Sequence, residues 1–131
     1  MNEKSDLKLI AIRGLPGSGK SEFAKYLGLN FFEADQYFEN FNNGIFDFKL
    51  IKKAHQFCYE NIEKELILGN SVVVSNTMTT ENEVKEYQDL ASKYKARFVS
   101  IILENRHKGK SIHDVPKSSI EQMRNRFSIR L

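Results

Sequence analysis

Gly14-Leu15-Pro16-Gly17-Ser18-Gly19-Lys20-Ser21 constrains this chain more than any other stretch. It fits G-x-x-x-x-G-K-[ST], a loop that wraps backbone N–H groups around nucleotide phosphates. Leu7, Leu9, Ile10 and Ile12 form a short apolar run before it, and Phe23, Ala24 and Leu27 follow at helical spacing. Strand, glycine loop and helix thus come in the order that such a loop requires. Glycines let backbone come close to an anion and adopt φ > 0 without a Cβ clash. The loop amides and the positive end of the next helix then face that anion. Gly14, Pro16, Gly17, Ser18, Gly19, Lys20 and Ser21 are therefore the candidate ATP-binding residues. In this reading Lys20 reaches the β- and γ-phosphates, the Ser21 hydroxyl ligates Mg²⁺, and Pro16 stiffens the loop.

The 131 residues leave room for one core, so residues 1–131 read as a single domain. No apolar stretch approaches a membrane span, and Met1-Asn2-Glu3-Lys4-Ser5-Asp6 has no signal-peptide h-region. The single cysteine, Cys58, cannot form an internal disulfide and reads as a buried thiol on the apolar side of a helix. A reducing, cytoplasmic setting is the matching expectation. The net charge of +3 says less than its distribution. Beyond residue 105, Arg106, Lys108, Lys110, Lys117, Arg124, Arg126 and Arg130 face only Asp114 and Glu121. A basic final quarter on a phosphate-binding chain suits further phosphate, although Lys117 and Arg130 read as solvated.

Strands and helices alternate, which predicts an α/β fold with a parallel sheet. The pattern predicts strands over 7–13, 30–34, 71–75 and 98–103, with helices over 20–28 and 46–68. Gln36 to Asp47 reads as an aromatic, Asn/Gly-rich loop with room for a helical turn. Thr80-Glu81-Asn82-Glu83 is a capping box opening a helix with a core stripe of Val84, Tyr87, Ala91 and Tyr94. Ser118-Ser119-Ile120-Glu121 reads as a second capping box, before a helix with Ile120, Met123 and Phe127 on one face. Four strands and five helices account for the chain.

In open parallel sheets the chemistry collects at the carboxyl ends of the strands. That rule makes neighbours of the glycine loop, Asp35, Ser75-Asn76-Thr77 and the stretch from Glu104. Asp35 is the candidate base that orients an attacking hydroxyl, with Asn76 and Thr77 as substrate-binding candidates. Motor-type NTPases place an acid where Ser75-Asn76-Thr77 stands, so the neutral edge favours a transferase over a hydrolase. Glu104 reads as exposed or structural. Arg106 and Lys110 lie in a polar segment, about residues 105–116, of the kind that folds over transferred phosphates as a lid. Lys108 reads as solvated. His55, His107 and His113 lack metal-site spacing, and His55 reads as a core-edge histidine.

The ordered set GLPGSGKS, EADQYF, FDFKLIKKAHQFC, VVVSNT, NRHKGKSIHDVP and MRNRF resembles the single-domain P-loop kinases related to the kinase module of bacteriophage polynucleotide 5′-hydroxyl kinase. It is similar, too, to AAA-type and zeta-toxin-like P-loop domains. The likeness runs over nearly the whole chain from about Leu7. It implies a three-layer P-loop NTPase fold of kinase type, with a small, mainly four-stranded parallel sheet flanked by helices and a C-terminal lid and helix. By position it implies Lys20 and Ser21 for ATP and Mg²⁺, Asp35 as catalytic base, Asn76 beside the acceptor, and Arg106 and Lys110 as catalytic lid cations. Phe38 stands where the family has an acceptor-binding Arg, Asn76 where it has an Asp, and Lys110 where it has an Arg. The expected activity is transfer of the γ-phosphoryl of ATP to a hydroxyl, foremost the 5′ end of a nucleic acid. A kinase for a nucleoside, nucleotide or other small molecule is the first alternative, and an ATP-binding regulatory module the second.

Overall fold

The computed structural model describes residues 6–110 and 115–131. These form β1 (Lys8–Arg13), α1 (Lys20–Tyr26), β2 (Phe31–Phe32), α2 (Asp35–Phe41), α3 (Ile51–Ile67), β3 (Val72–Ser75), α4 (Glu81–Lys93), β4 (Arg97–Ile102) and α5 (Lys117–Arg126). The apolar residues of β1 alternate, and the fold uses both sets. Leu9 and Ala11 join Val72 and Val74 on one face, under Cys58, Ile62 and Leu66 of α3 and Val84, Tyr87 and Leu90 of α4. Ile12 and Val73 point to the other face, where Phe23 and Ala24 of α1 cover them. Each fully buried Leu, Ile or Val stabilises the domain by roughly 1.5–3 kcal/mol.

The sheet order is β2-β3-β1-β4, with every pairing parallel. The phosphate-loop strand β1 is thus central, paired from Leu9–Val72 to Ile12–Ser75 on one side and from Lys8–Arg97 to Arg13–Ile102 on the other. With α1 on one face and α3 and α4 on the other, the sheet makes the three-layer α/β arrangement that was expected. Among the described residues no helix is long and apolar enough to cross a membrane.

Several local expectations need correction. Gln36 to Asp47 is not mainly loop: α2 runs over Asp35–Phe41. Its stability comes from tertiary packing, because Phe38 is buried with Ala34 against Ala54 of α3. Phe38 therefore faces the α2–α3 seam. The long helix starts later than the apolar pattern suggested. Asp47 caps a short 3₁₀ turn, Phe48–Leu50, by accepting from Lys49 N, and α3 follows. The first capping box forms as read, with Thr80 and Glu83 capping each other's amides. The second does not. Pro116 occupies the N-cap, so Ser118 falls inside the first turn, and Glu121 pairs with Arg124.

Arg13 ties α5 and the tail to the sheet. It is only 4% exposed, its Nε donates to Met78 O at 2.9 Å, and its Nη2 donates to Ser128 O at 2.7 Å. The guanidinium also lies 4.8 Å from the centre of the Phe127 ring. Arg126 adds a bond to Thr79 Oγ1 at 3.0 Å. Since α5 has no fully buried residue, these polar contacts do much of its anchoring.

Candidate active site

The glycine loop sits at the carboxyl end of β1, with Gly14 buried at its foot and Gly17 and Gly19 both at φ 91°. Ser18 N donates to Leu15 O at 3.1 Å, which closes the loop into a cradle. Ser18 Oγ is buried without a hydrogen-bond partner among the described residues. Lys20 Nζ donates to Leu15 O at 3.2 Å, so the ammonium folds over the loop instead of extending into solvent. Burial pulls its pKa below the usual lysine value, and the charges of Glu33 and Asp35 oppose that shift.

Glu33, which the motif reading passed over, is a near neighbour of this loop. Ser21 Oγ donates to Glu33 Oε2 at 2.8 Å, joining the end of the glycine loop to the end of β2. Burial raises the Glu33 pKa, while the bond from Ser21 favours the charged form. The available signal was an acid directly after the apolar pair Phe31-Phe32, two residues before the more conspicuous Asp35. Asp35 opens α2 and is close enough to both Lys20 and Glu33 to act on them electrostatically.

Asn76 reaches the same edge from β3. Its Oδ1 accepts from Ala34 N at 2.9 Å, and its Nδ2 lies 3.6 Å from Cys58 Sγ. The amide thus fixes the backbone just before Asp35 and links it to α3. Thr77 follows, half-buried. Cys58 is fully buried as expected, and burial pushes its thiol up to about 11. His55 is exposed, not at the core edge, and borders a hollow of about 150 Å³ shared with Asn76, Met78, Glu83, Glu86 and Tyr87.

The segment after β4 lies against the glycine loop through its backbone. Asn105 Nδ2 donates to Gly109 O at 2.7 Å, and Gly109 N donates back to Asn105 Oδ1 at 2.8 Å. A Cβ on Gly109 would stand 2.5 Å from Gly17 O, so only glycine permits this approach. Arg106 is exposed and forks onto Glu104 with two bonds of 3.1 Å, and Lys110 is exposed as well. Glu104 is thus an exposed partner, as read. Residues 111–114 of the expected lid lie outside the described residues. Beside this turn a cavity of about 340 Å³ opens between Pro16, Asn105, Gly109, Ile120, Glu121 and Arg124.

The corner therefore combines a backbone cradle and an ammonium, suited to an anion, with the hydroxyl and carboxylate oxygens of Ser21 and Glu33, suited to a hard cation. Residues 9–129 match a family described as AAA domain. Human NEDD4-binding protein 2 is 30% identical over 133 aligned positions, covering 89% of this chain and 7% of that protein. A chain of the Pnkp1/Rnl/Hen1 RNA repair complex superposes with a TM-score of 0.72 at 19% identity, covering 92% of this chain and 43% of its own. A sugar kinase from Janibacter sp. HTCC2649 superposes with a TM-score of 0.63 at 18% identity, covering 95% of this chain and 80% of its own. This chain thus spans less than half the length of the human protein and of the repair-complex chain. The structural likenesses carry the fold, that of P-loop kinases.

Proposed function

This chain belongs to the AAA domain family, and from that premise we propose that it is an ATP-dependent phosphotransferase acting on a hydroxyl acceptor, foremost the 5′-hydroxyl of a nucleic acid. The observation that carries this reading is the junction of the glycine loop with the end of β2. Ser21 and Glu33 are bonded at 2.8 Å, and Lys20 lies in the field of Glu33 and Asp35. An ATP-binding loop with an aspartate beside it has what in-line transfer requires: phosphate clamps and a group to orient the attacking oxygen.

In this mechanism the loop amides and Lys20 hold the β- and γ-phosphates. The cavity beside Pro16 takes the base end of the nucleotide. Asp35 accepts a hydrogen bond from the acceptor hydroxyl. The acceptor oxygen bonds to the γ-phosphorus as the β–γ bridging P–O bond breaks, ADP leaves, and the hydroxyl proton passes to Asp35 and on to solvent. Ser21 and Glu33 are the residues that would hold Mg²⁺, which supplies charge neutralisation at the phosphates when bound. Glu33 thereby furnishes from β2 the acid that β3 lacks. Arg106 and Lys110 serve as lid cations that turn from their exposed positions toward the transferred phosphoryl group, and Asn76 and Thr77 border the acceptor.

The test is labelled transfer from γ-labelled ATP and Mg²⁺ to a panel of 5′-hydroxyl oligonucleotides, nucleosides and small polyols, with Lys20→Ala as blank. Label on the oligonucleotide 5′ end is the expected result. Label released only as free phosphate would sink the phosphotransferase reading. A small hydroxyl compound as acceptor is the second reading. The hollow of about 150 Å³ beside Asn76 favours it, being edged by His55 and Glu83 and too small for a polymer.

A further inference from the structure

A second cluster lies outside the phosphate corner. The rings of α2 and early α3 interlock: Tyr37 is 5.0 Å from Phe41 and 5.7 Å from Phe57, Phe41 is 5.5 Å from Phe57, and Phe38 is 5.2 Å from Phe46. Phe38 is buried, but Phe41, Phe46 and Phe48 are 63%, 60% and 76% exposed. The turn that presents them is tied down. Asn42 Nδ2 donates to Ile45 O at 2.6 Å, Gly44 N donates to Phe38 O at 2.8 Å, and Asp47 accepts from Lys49 N at 2.9 Å. Lys49, Lys52 and Lys53 follow, all exposed. The acids of this stretch are Glu39 and Asp47, and the Asp47 carboxylate already caps the turn.

Exposed rings followed by exposed lysines match one partner chemistry in particular. Aromatic faces stack on unpaired bases, while ammonium groups follow the phosphodiester backbone. Position supports the same partner. The helix that starts at Asp35 ends at Phe41, so the first exposed ring is about 9 Å along the axis from the proposed acceptor-orienting carboxylate. The hollow beside Asn76 carries Glu83 and Glu86, which repel a polyanion. A strand whose end lies at Asp35 is therefore steered across the α2–α3 turn.

We propose that Phe41, Phe46 and Phe48, with Lys49, Lys52 and Lys53, form a stacking platform for the unpaired bases of a single-stranded nucleic acid whose 5′-hydroxyl lies at Asp35. The location of that hydroxyl rests on the phosphotransferase reading; the platform itself rests on the rings and lysines.

Fluorescence anisotropy on the full chain without ATP tests it. The probes are a 5′-hydroxyl oligothymidylate and an abasic oligonucleotide of equal length, compared at several salt concentrations. The base-bearing probe should bind about tenfold or more tighter. Phe46→Ala with Phe48→Ala should remove most of that advantage and leave abasic binding unchanged. Lys52→Gln with Lys53→Gln should weaken both probes and lower the salt slope by about 1.4. Both positions are exposed in each pair, and thermal melts of the variants check that the fold persists. Equal affinity for the two probes, or equal loss on both in the Phe variant, overturns the proposal. So does self-association that the Phe variant abolishes without any change in anisotropy, because a second copy of the chain is then the occupant. Stacking-dependent binding with no labelled product from any acceptor keeps the platform and defeats the phosphotransferase. Transfer to oligonucleotides with unchanged KM in the Phe variant does the reverse.

Discussion

Burial treats Lys20, Glu33 and Cys58 differently. For Lys20 and Glu33, desolvation penalises the charged form while nearby groups restore it: two carboxylates for Lys20 and the Ser21 hydroxyl for Glu33. For Cys58 desolvation outweighs the hydrogen bonds donated by Tyr87 and Asn76, and the thiol rises from 9.0 to about 11. The neutral thiol is thus the folded form. Its contribution is fully present below pH 9 and is lost as pH climbs toward 11, amounting to about 3 kcal/mol. Urea melts of the parent chain should steepen their loss of stability over that window, and Cys58→Ala should remove this part of the loss. The same burial should leave Cys58 inert to thiol reagents at neutral pH until the chain unfolds. Asp35→Asn should lower phosphoryl transfer by about 10²–10⁴-fold. Calorimetry should show nucleotide affinity close to that of the parent, because the proposed mechanism sets Asp35 against the acceptor and not the phosphates. The position of Asp35 at the sheet edge was legible from its place after an apolar strand. The bond from Ser21 to Glu33 was not, since it joins residues on two elements. Asn76 was legible as an edge residue, but its bonds to Ala34 and Cys58 exist only in the fold.

Elements whose stability is local were read well, and those stabilised by distant partners were read less well. The helix opened by Thr80 and Glu83 begins where its capping box says, because both partners lie within one turn. The helix Asp35–Phe41 was read as no more than a turn because its aromatic, Asn-rich sequence has modest propensity and depends on Phe38 packing against Ala54. At α5 the serine signal lost to Pro116, whose fixed φ starts the helix earlier. Arg13 carried no sequence signal at all, yet it bridges β1, Met78 and the tail after α5. Arg13→Met leaves two carbonyls without their donor, each costing about 1–3 kcal/mol. Hydrogen exchange should then rise in α5 and the tail well before it rises in α3. Uniformly faster exchange across the chain would show that Arg13 supports the whole core instead of this one attachment.

For the whole molecule, the glycine loop and the strand–helix alternation were enough to anticipate the parallel sheet and its layers. The order β2-β3-β1-β4 was not, because strand neighbours depend on crossovers that composition does not record. If the loop binds nucleotide as proposed, ATP with Mg²⁺ at about 100 times its Kd should stabilise the fold by about 2.7 kcal/mol. That raises the melting temperature by roughly 10 °C for a domain of this size. Lys20→Ala should abolish most of the rise, and scanning fluorimetry measures both.

The central place of β1 has a consequence for how the protein is made. Residues 8–13 are synthesised before their pairing partners, residues 72–75 and 97–102. The strand beneath the glycine loop thus waits, apolar and partly unpaired, until residue 102 has been made. The strand that carries the glycine loop can be completed only after the last of its neighbours is made.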